Sequence, residues 1–186
     1  LIIPSWYPRP DDKINGSFFQ EQAKLVSDEF DIKVLFVRFT GRPSIRAFLK
    51  NPLYTAMAWL RFIFQGTVKA ELPDEEVFTN PPLIEYATRI IGLTQRQRYQ
   101  KRLNAYLDSL EKLIATGWKP DLVHAHSVSL GGLVAKRIKE VYGIPYVITE
   151  HLPFALCNYP EHIRADIKEA FQNADKVLSL GYDKVR

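Results

Sequence analysis

The chain has 186 residues, 46% of them hydrophobic, with 25 Lys and Arg against 21 Asp and Glu, a net charge of +4 and a pI near 9.1. That length and apolar content suit one sizeable domain with a real core. The single cysteine, Cys157, excludes an internal disulfide and a four-cysteine metal site, and no apolar run in the sequence is long enough to span a bilayer.

The run Leu1-Ile2-Ile3 reads as a short buried strand. The sequence opens inside this run with no initiator Met, so the strand is expected to begin earlier or to have been trimmed. Pro4, Pro8 and Pro10 forbid regular structure in the loop that follows. Asn15-Gly16 supplies a tight turn. Ser17-Phe18-Phe19-Gln20 then matches a capping box with Ser17 as N-cap, opening a helix with Phe19, Ala23, Val26 and Phe30 on one face. A strand, a glycine loop and a helix N-terminus together make an anion site. The same residues also fit a turn in which Gly16 merely reverses the chain, and both readings stand.

Ile32–Phe39 is a second strand, dense in β-branched and aromatic residues, with Gly41, Arg42 and Pro43 to end it. Between Ile45 and Gly66 lie ten large apolar or aromatic residues with Arg46, Lys50 and Arg61 among them. The spacing predicts one or two helices broken near Pro52. They are apolar around too much of their circumference for an ordinary surface helix. Packing against the sheet or a partner is the preferred reading, and dipping into a membrane interface is the other. Val68–Glu76 is polar and reads as loop. Glu76–Ala87 holds a strand interrupted by Pro81-Pro82, which argues for an edge strand or a bulge. Gln95–Ala115 keeps apolar residues at helical spacing from Tyr99 to Ile114, and Gly117 is its stop.

Asp121–His126 is a strand introduced by a Pro-Asp turn. Ser129 is positioned to cap a helix over Leu130–Tyr142 that buries Leu133, Val134, Ile138 and Val141, with Gly143 ending it. Pro145–Thr149 is another strand and runs into Glu150-His151. Glu161–Asn173 is a helix, Ala174-Asp175 a turn, and Lys176–Leu180 a last strand. Strands alternating with helices predict an α/β fold, a Rossmann-like parallel sheet flanked by helices with right-handed crossovers.

Parallel sheets bind ligands beyond the carboxyl ends of their strands. Here those ends carry the Pro4–Gly16 loop, His126-Ser127 and Glu150-His151, and all three converge on one crevice. His124 and His126 share a face of their strand. A metal reading of this pair with Glu150 and His151 is set aside, because the sequence continues as Ser127-Val128-Ser129-Leu130 and lacks the further acidic and histidine ligands expected. The preferred reading is a buried, hydrogen-bonded His124 and a His126 that reaches a ligand. No G-x-x-x-x-G-K-[ST] or G-x-G-x-x-G phosphate loop and no G-x-S-x-G elbow occurs. Cys157 reads as a small hydrophobe. The basic residues of Arg38–Arg61 and Arg89–Arg102 read first as solvated helix faces and otherwise as a surface that attracts phosphates or anionic lipid, and no nucleic-acid partner is expected.

Five stretches in order, PSWYP, NGSFFQEQA, KPDLVHAHS followed by GG, GIPYVITEH and NADKVLS, resemble the amino-terminal domain of family 4 glycosyltransferases. Those are retaining enzymes built of two Rossmann-like domains, the GT-B architecture. The resemblance implies that residues 1–186 form the acceptor-side domain, carrying a helical, aromatic insertion around 40–75. It implies transfer of a sugar, as a hexosyltransferase does, from a nucleotide diphosphate sugar to a glycan or lipid-linked acceptor in polysaccharide biosynthesis. It further implies His126 as the catalytic contact to the donor sugar. Asn15, Gly16 and Ser17 match the glycine loop near the donor phosphates, although the usual glycine pair is here Asn15-Gly16. Ser127, Glu150 and His151 match the segments lining the cleft on the acceptor side.

The family's carboxyl-terminal domain, with its Glu-x7-Glu signature, has no counterpart in this sequence. The chain therefore reads as a fragment that is inactive alone. No metal and no cofactor are expected besides the donor. The protein is expected in the cytoplasm, at the inner face of the membrane if residues 45–66 dock there. Two other readings fit the sequence: half of a sugar-nucleotide epimerase or phosphorylase of the same fold, and a non-enzymatic membrane-docking or regulatory module centred on 45–66.

Overall fold

Strand β1 (Ile2–Ile3) is the shortest of the parallel strands and sits at the centre of the sheet. In the computed structural model, which describes residues 1–8, 12–40, 49, 51–64, 68–70, 80–89, 94–151 and 155–179, it pairs in parallel with β2 (Val34–Thr40) on one side and with β5 (Val123–His126) on the other. The remaining strands are β3 (Val68–Lys69), β4 (Leu83–Arg89), β6 (Tyr146–Glu150) and β7 (Lys176–Ser179), and the sheet order is β3-β4-β2-β1-β5-β6-β7. Every pairing is parallel except β3 with β4. The helices are α1 (Ser17–Val26), α2 (Pro52–Phe64), α3 (Gln95–Ile114), α4 (Leu133–Tyr142) and α5 (Glu161–Gln172). This is the Rossmann-like α/β sheet that alternation of strand and helix predicts.

The two faces of the sheet carry separate cores, because side chains alternate along each strand. On one face Ile3, Leu35, Val37, Val123, Ala125 and Ile148 meet the apolar stripes of α3, α4 and α5. On the other, Ile2, Val34 and Leu83 meet Tyr7, Phe19 and Ala23, so α1 is the helix that covers the centre of that face. Complete burial of side chains such as Ile3, Leu35 and Phe19 is worth about 1.5–3 kcal/mol each.

The structure departs from several expectations. Ser17 is the first helical residue and not the cap. Gly16 occupies the N-cap position in the left-handed region, at φ 82°, and no side chain caps the helix. A Cβ on Gly16 would stand 2.9 Å from the Trp6 carbonyl oxygen and the Tyr7 Cα, so the close approach of the loop demands glycine there. Helix α1 also stops at Val26. Val26 and Phe30 are exposed, and only Phe19, Gln20 and Ala23 turn inward. The capping box is found instead on α3, where Thr94 and Gln97 cap each other reciprocally.

Pro81 and Pro82 precede β4 and do not interrupt it. Pro82 contributes its carbonyl to the Val34 N–H at 3.0 Å, a role that needs no donor from proline. Strand β4 is not an edge strand, since β3 adds to its outer side from a stretch that reads as loop in sequence. The helix after β5 starts later than expected: residues Ser127–Gly132 form a wide π-helical turn and α4 begins at Leu133. Val141 is half-exposed, whereas Leu133, Val134 and Ile138 are buried. Gly143 ends α4 at φ 68° as the sequence suggests. The Asn173-Ala174-Asp175 turn works through Asp175, whose carboxylate accepts the Tyr146 N–H at 2.9 Å and pairs with Lys139. The expected stop at Gly41–Pro43, any helix before Leu49, the loop through Glu76 and the tail from Gly181 lie outside the described residues.

Candidate functional site

Three strand ends and one helix start meet on the α1 face of the sheet. The register of β5 on β6 explains the meeting. His124 pairs with Val147 and His126 with Thr149, so His124, His126 and Thr149 share a face, and His151, two residues past Thr149, falls on it too. His124 Nε2 lies 2.8 Å from Thr149 Oγ1. His126 Nδ1 lies 2.9 Å from His151 Nε2. The rings of His124 and His126 stack with centroids 4.4 Å apart.

Helix α1 closes this group from above. Phe19 stands 4.7 Å from the His126 ring and 4.9 Å from the His151 ring, and Phe18 stands 5.2 Å from His151. Trp6, in the loop after β1, packs edge-on against Phe19 at 5.2 Å. From the same loop, Ser5 Oγ donates to the His126 carbonyl at 2.6 Å. Phe18, Phe19, Ser5 and Thr149 are thus part of the site's construction. The sequence signal for them was modest: Ser5 sits within the PSWYP loop, and Thr149 precedes His151 by the two residues that keep a face.

His126 is 1% exposed, and its Nε2 is buried with no hydrogen-bond partner among the described residues. Burial in this aromatic nest, with lesser contributions from His124 and His151, lowers its pKa from 6.5 to about 3. Burial likewise lowers His124 to about 4. Both rings are therefore neutral at pH 7 and act through hydrogen bonds, not positive charge. His151 is half-buried and carries the pair toward the surface.

The other candidate residues divide. Ser127 is buried and takes φ 64°, a left-handed conformation that costs a non-glycine residue about 1–2 kcal/mol. Its Oγ has no partner among the described residues. Gly131 belongs to the same Ser127–Gly132 turn. A Cβ there would stand 2.9 Å from the Ile3 carbonyl oxygen and 3.0 Å from that of His126. Glu150 is not brought to the histidines. Alternation turns it to the opposite face, where its Oε2 accepts the buried Val128 N–H at 2.9 Å.

At the start of α1, the Asn15 N–H donates to Asp12 Oδ1 at 3.1 Å and Asn15 is exposed. Gly16 is buried. The Ser17 N–H donates to the Ile14 carbonyl and the Phe19 N–H to that of Gly16, so two amides of the first turn are already engaged. Among the described residues no group of three or more His, Cys, Asp and Glu side chains gathers as a metal site. Cys157 is exposed, not a buried hydrophobe, and its sulfur lies 3.8 Å from Asn158 Oδ1.

The arrangement offers a neutral imidazole in a water-poor nest, backed by the positive end of α1 and by a strained turn. Such a site suits the hydroxyl or phosphate oxygens of a ligand. A family model for Glycosyltransferase Family 4 matches residues 63–181. No curated protein matches the chain.

Proposed function

The chain belongs to glycosyltransferase family 4, and on that premise we propose that it forms the acceptor-side domain of a retaining, two-domain transferase. In this reading the protein moves a hexose from a nucleotide diphosphate sugar to a glycan or lipid-linked acceptor. The carrying observation is His126 Nε2, a buried ring nitrogen without a partner among the described residues, at the carboxyl end of a central strand. An unsatisfied buried donor or acceptor costs about 1–3 kcal/mol, which a ligand oxygen offsets.

A retaining transfer from such a donor has three requirements. The leaving phosphate is stabilised, water is kept from the oxocarbenium-like centre, and the acceptor hydroxyl is held on the face the leaving group vacates. His126 supplies a hydrogen bond to the donor sugar as positive charge develops at its anomeric carbon. Being neutral, it adds no repulsion there. The first turn of α1, at Asn15, Gly16 and Ser17, supplies the positive end of a helix dipole toward the phosphates. Phe18 and Phe19 exclude water around the rings. Ser127 and His151 form the wall on the acceptor side, and Glu150 contributes by holding the turn that carries Ser127. No metal and no cofactor besides the donor enter this mechanism, and a cytoplasmic setting matches where nucleotide sugars are found. A partner domain supplies the basic groups that neutralise the departing diphosphate.

The test is a panel of nucleotide diphosphate sugars offered with glycan and lipid-linked acceptors, with product masses read out. A two-domain protein containing this chain is expected to transfer one of them with retention of anomeric configuration. Residues 1–186 alone are expected to show no turnover, and turnover from them overturns the need for a second domain.

A second reading concerns α2 and residues 45–66 as a whole. Within α2, Leu53, Met57 and Leu60 recur at helical spacing and all are exposed, Leu53 at 82%, and Leu49 before the helix is exposed as well. Tyr54 is exposed beside them. No helix among the described residues is long and apolar enough to cross a membrane. An exposed apolar stripe of this kind lies in an interface instead, and contact with the membrane face fits a lipid-linked acceptor.

A further inference from the structure

We infer that Arg38, seated on the buried carboxylate of Glu85, binds an anionic group of the acceptor, a phosphate or a carboxylate, at the carboxyl end of β2. This rests on the reading of the chain as the acceptor-side domain, and it narrows the acceptor to one that carries negative charge.

Register puts this pair on the face that holds the histidines. Ile2 pairs with Val34 and with His124, and Val34 pairs with Leu83. Side chains alternate along a strand, so Phe36 and Arg38 on β2, Glu85 on β4 and His126 on β5 all share that face. Only β1 lies between β2 and β5, and Arg38 is two residues further along its strand than His126. Strand spacing and rise therefore set the two about 12 Å apart at the backbone. The surface between them is continuous. Phe36 and Trp6 pack on one core, Trp6 meets Phe19, and Phe19 meets His126. A single acceptor spans that distance, with its hydroxyl near the donor sugar and its charge on Arg38. The carboxyl ends of parallel strands are where such a ligand lies.

Glu85 is 2% exposed, and a carboxylate so deep requires a cation or hydrogen-bond donors. Arg38 Nε stands 3.0 Å from Glu85 Oε1, an ion pair without the alignment of a hydrogen bond. Nε itself is enclosed, yet the Arg38 side chain is 41% exposed. Its Nη1 and Nη2 make no hydrogen bond to a described residue. Neutralising Glu85 thus engages one edge of the guanidinium. The other N–H donors form a planar fork that matches two oxygens of a phosphate or a carboxylate. Glu85 acts as a positioning residue: it fixes the direction of the fork, so less freedom is lost when an anion binds.

Binding is read first, by NMR of the Arg38 Nε–H during titration with a hexose phosphate, a hexuronate and the neutral hexose. At least one of the two anions is expected to shift that signal and the neutral sugar to leave it, and the stronger anion names the acceptor's charge. No shift with either anion, or an equal shift with the neutral sugar, overturns the inference. Transfer is read next, in a two-domain protein, with matched acceptors that carry a phosphate, a carboxylate or neither. The parent is expected to prefer one anionic acceptor over the neutral one tenfold or more in kcat/KM, through KM. Arg38→Gln is expected to bring that ratio near one, and Arg38→Lys, which keeps charge without the fork, to fall between. A parent without the preference, or an Arg38→Gln protein that keeps it, overturns the inference. Arg38→Gln leaves Glu85 without its cation, so it is paired with Arg38→Gln, Glu85→Gln, which removes both charges and guards the fold. Return of the preference in this double variant shows that Arg38 only neutralises Glu85, and overturns it. If the anion binds at Arg38 while no acceptor is glycosylated, the transferase reading falls and the anion site stands.

Discussion

Glu150 Oε2 accepts the Val128 N–H at 2.9 Å, joining the end of β6 to the turn that follows β5. Both groups are buried, so the bond carries more than a surface contact would. Glu150→Ala leaves the Val128 N–H without this acceptor and is expected to lower stability by about 1–3 kcal/mol. Glu150→Gln keeps an oxygen acceptor and is expected to lose less. Urea denaturation of the two variants measures the difference, and equal losses mean that the amide finds another partner.

Gly131 and Gly143 give opposite tests of what a glycine does. Gly131 has an ordinary φ, but its Cβ would meet two backbone carbonyl oxygens at 2.9 and 3.0 Å, and backbone gives way less cheaply than the end of a flexible side chain. Gly131→Ala is expected to cost about 1–3 kcal/mol through overpacking and to shift His126. Gly143 has open space and φ 68°. Gly143→Ala is therefore expected to cost only the left-handed penalty of about 1–2 kcal/mol, and Gly143→Asn less. Denaturation midpoints rank the three, and a Gly131→Ala protein as stable as the parent shows that the turn can open.

The buried His126 and the half-buried His124 make stability depend on pH in a set direction. Folded-state pKa values of about 3 for His126 and about 4 for His124 lie below the ordinary 6.5 of an unfolded chain. Between these values the unfolded state binds more protons, so stability rises with pH. It is complete above pH 6.5 and falls as the pH drops toward 3. Carboxylates titrate in the lower part of this window, so the comparison is with His126→Asn. That variant is expected to show a shallower loss between pH 6.5 and 5, and an unchanged slope removes His126 as a contributor.

His126→Ala removes the proposed contact to the donor sugar. If the hydrogen bond acts on charge that develops in the transition state, kcat is expected to fall by about two orders of magnitude with KM little affected. The measurement belongs to a two-domain protein that transfers sugar. A rise in KM alone moves His126 from transition-state stabilisation to ground-state binding.

The α2 stripe is tested with anionic vesicles. The parent is expected to co-sediment with them, and Leu53→Asp with Leu60→Asp to abolish this without changing the fold, since both side chains are exposed. Co-sedimentation unaffected by the double change, or absent from the parent, removes membrane contact through this helix.

Patterns of short range determined much of this protein. Periods of two and of 3.6 residues, the prolines, and glycines at turns were enough for the strand and helix order, the parallel sheet, and the strand ends where His126 and His151 sit. The family resemblance stands on the same local stretches. What the local pattern misplaced shows its limit. Ser17 looked like a cap, yet the approach of Trp6 and Tyr7 forces Gly16 into that position. Val68–Lys69 looked like loop, yet β4 offers it an unpaired edge. Glu150 and His151 are neighbours in sequence, yet the sheet sends them to opposite faces. Only the register of β5 on β6 decides that His151 meets His126, and only α1 folding back over the sheet decides that His126 is buried and neutral. These are contacts between residues far apart in the chain. Their energies depend on which surfaces are brought together, and no window of sequence contains both sides.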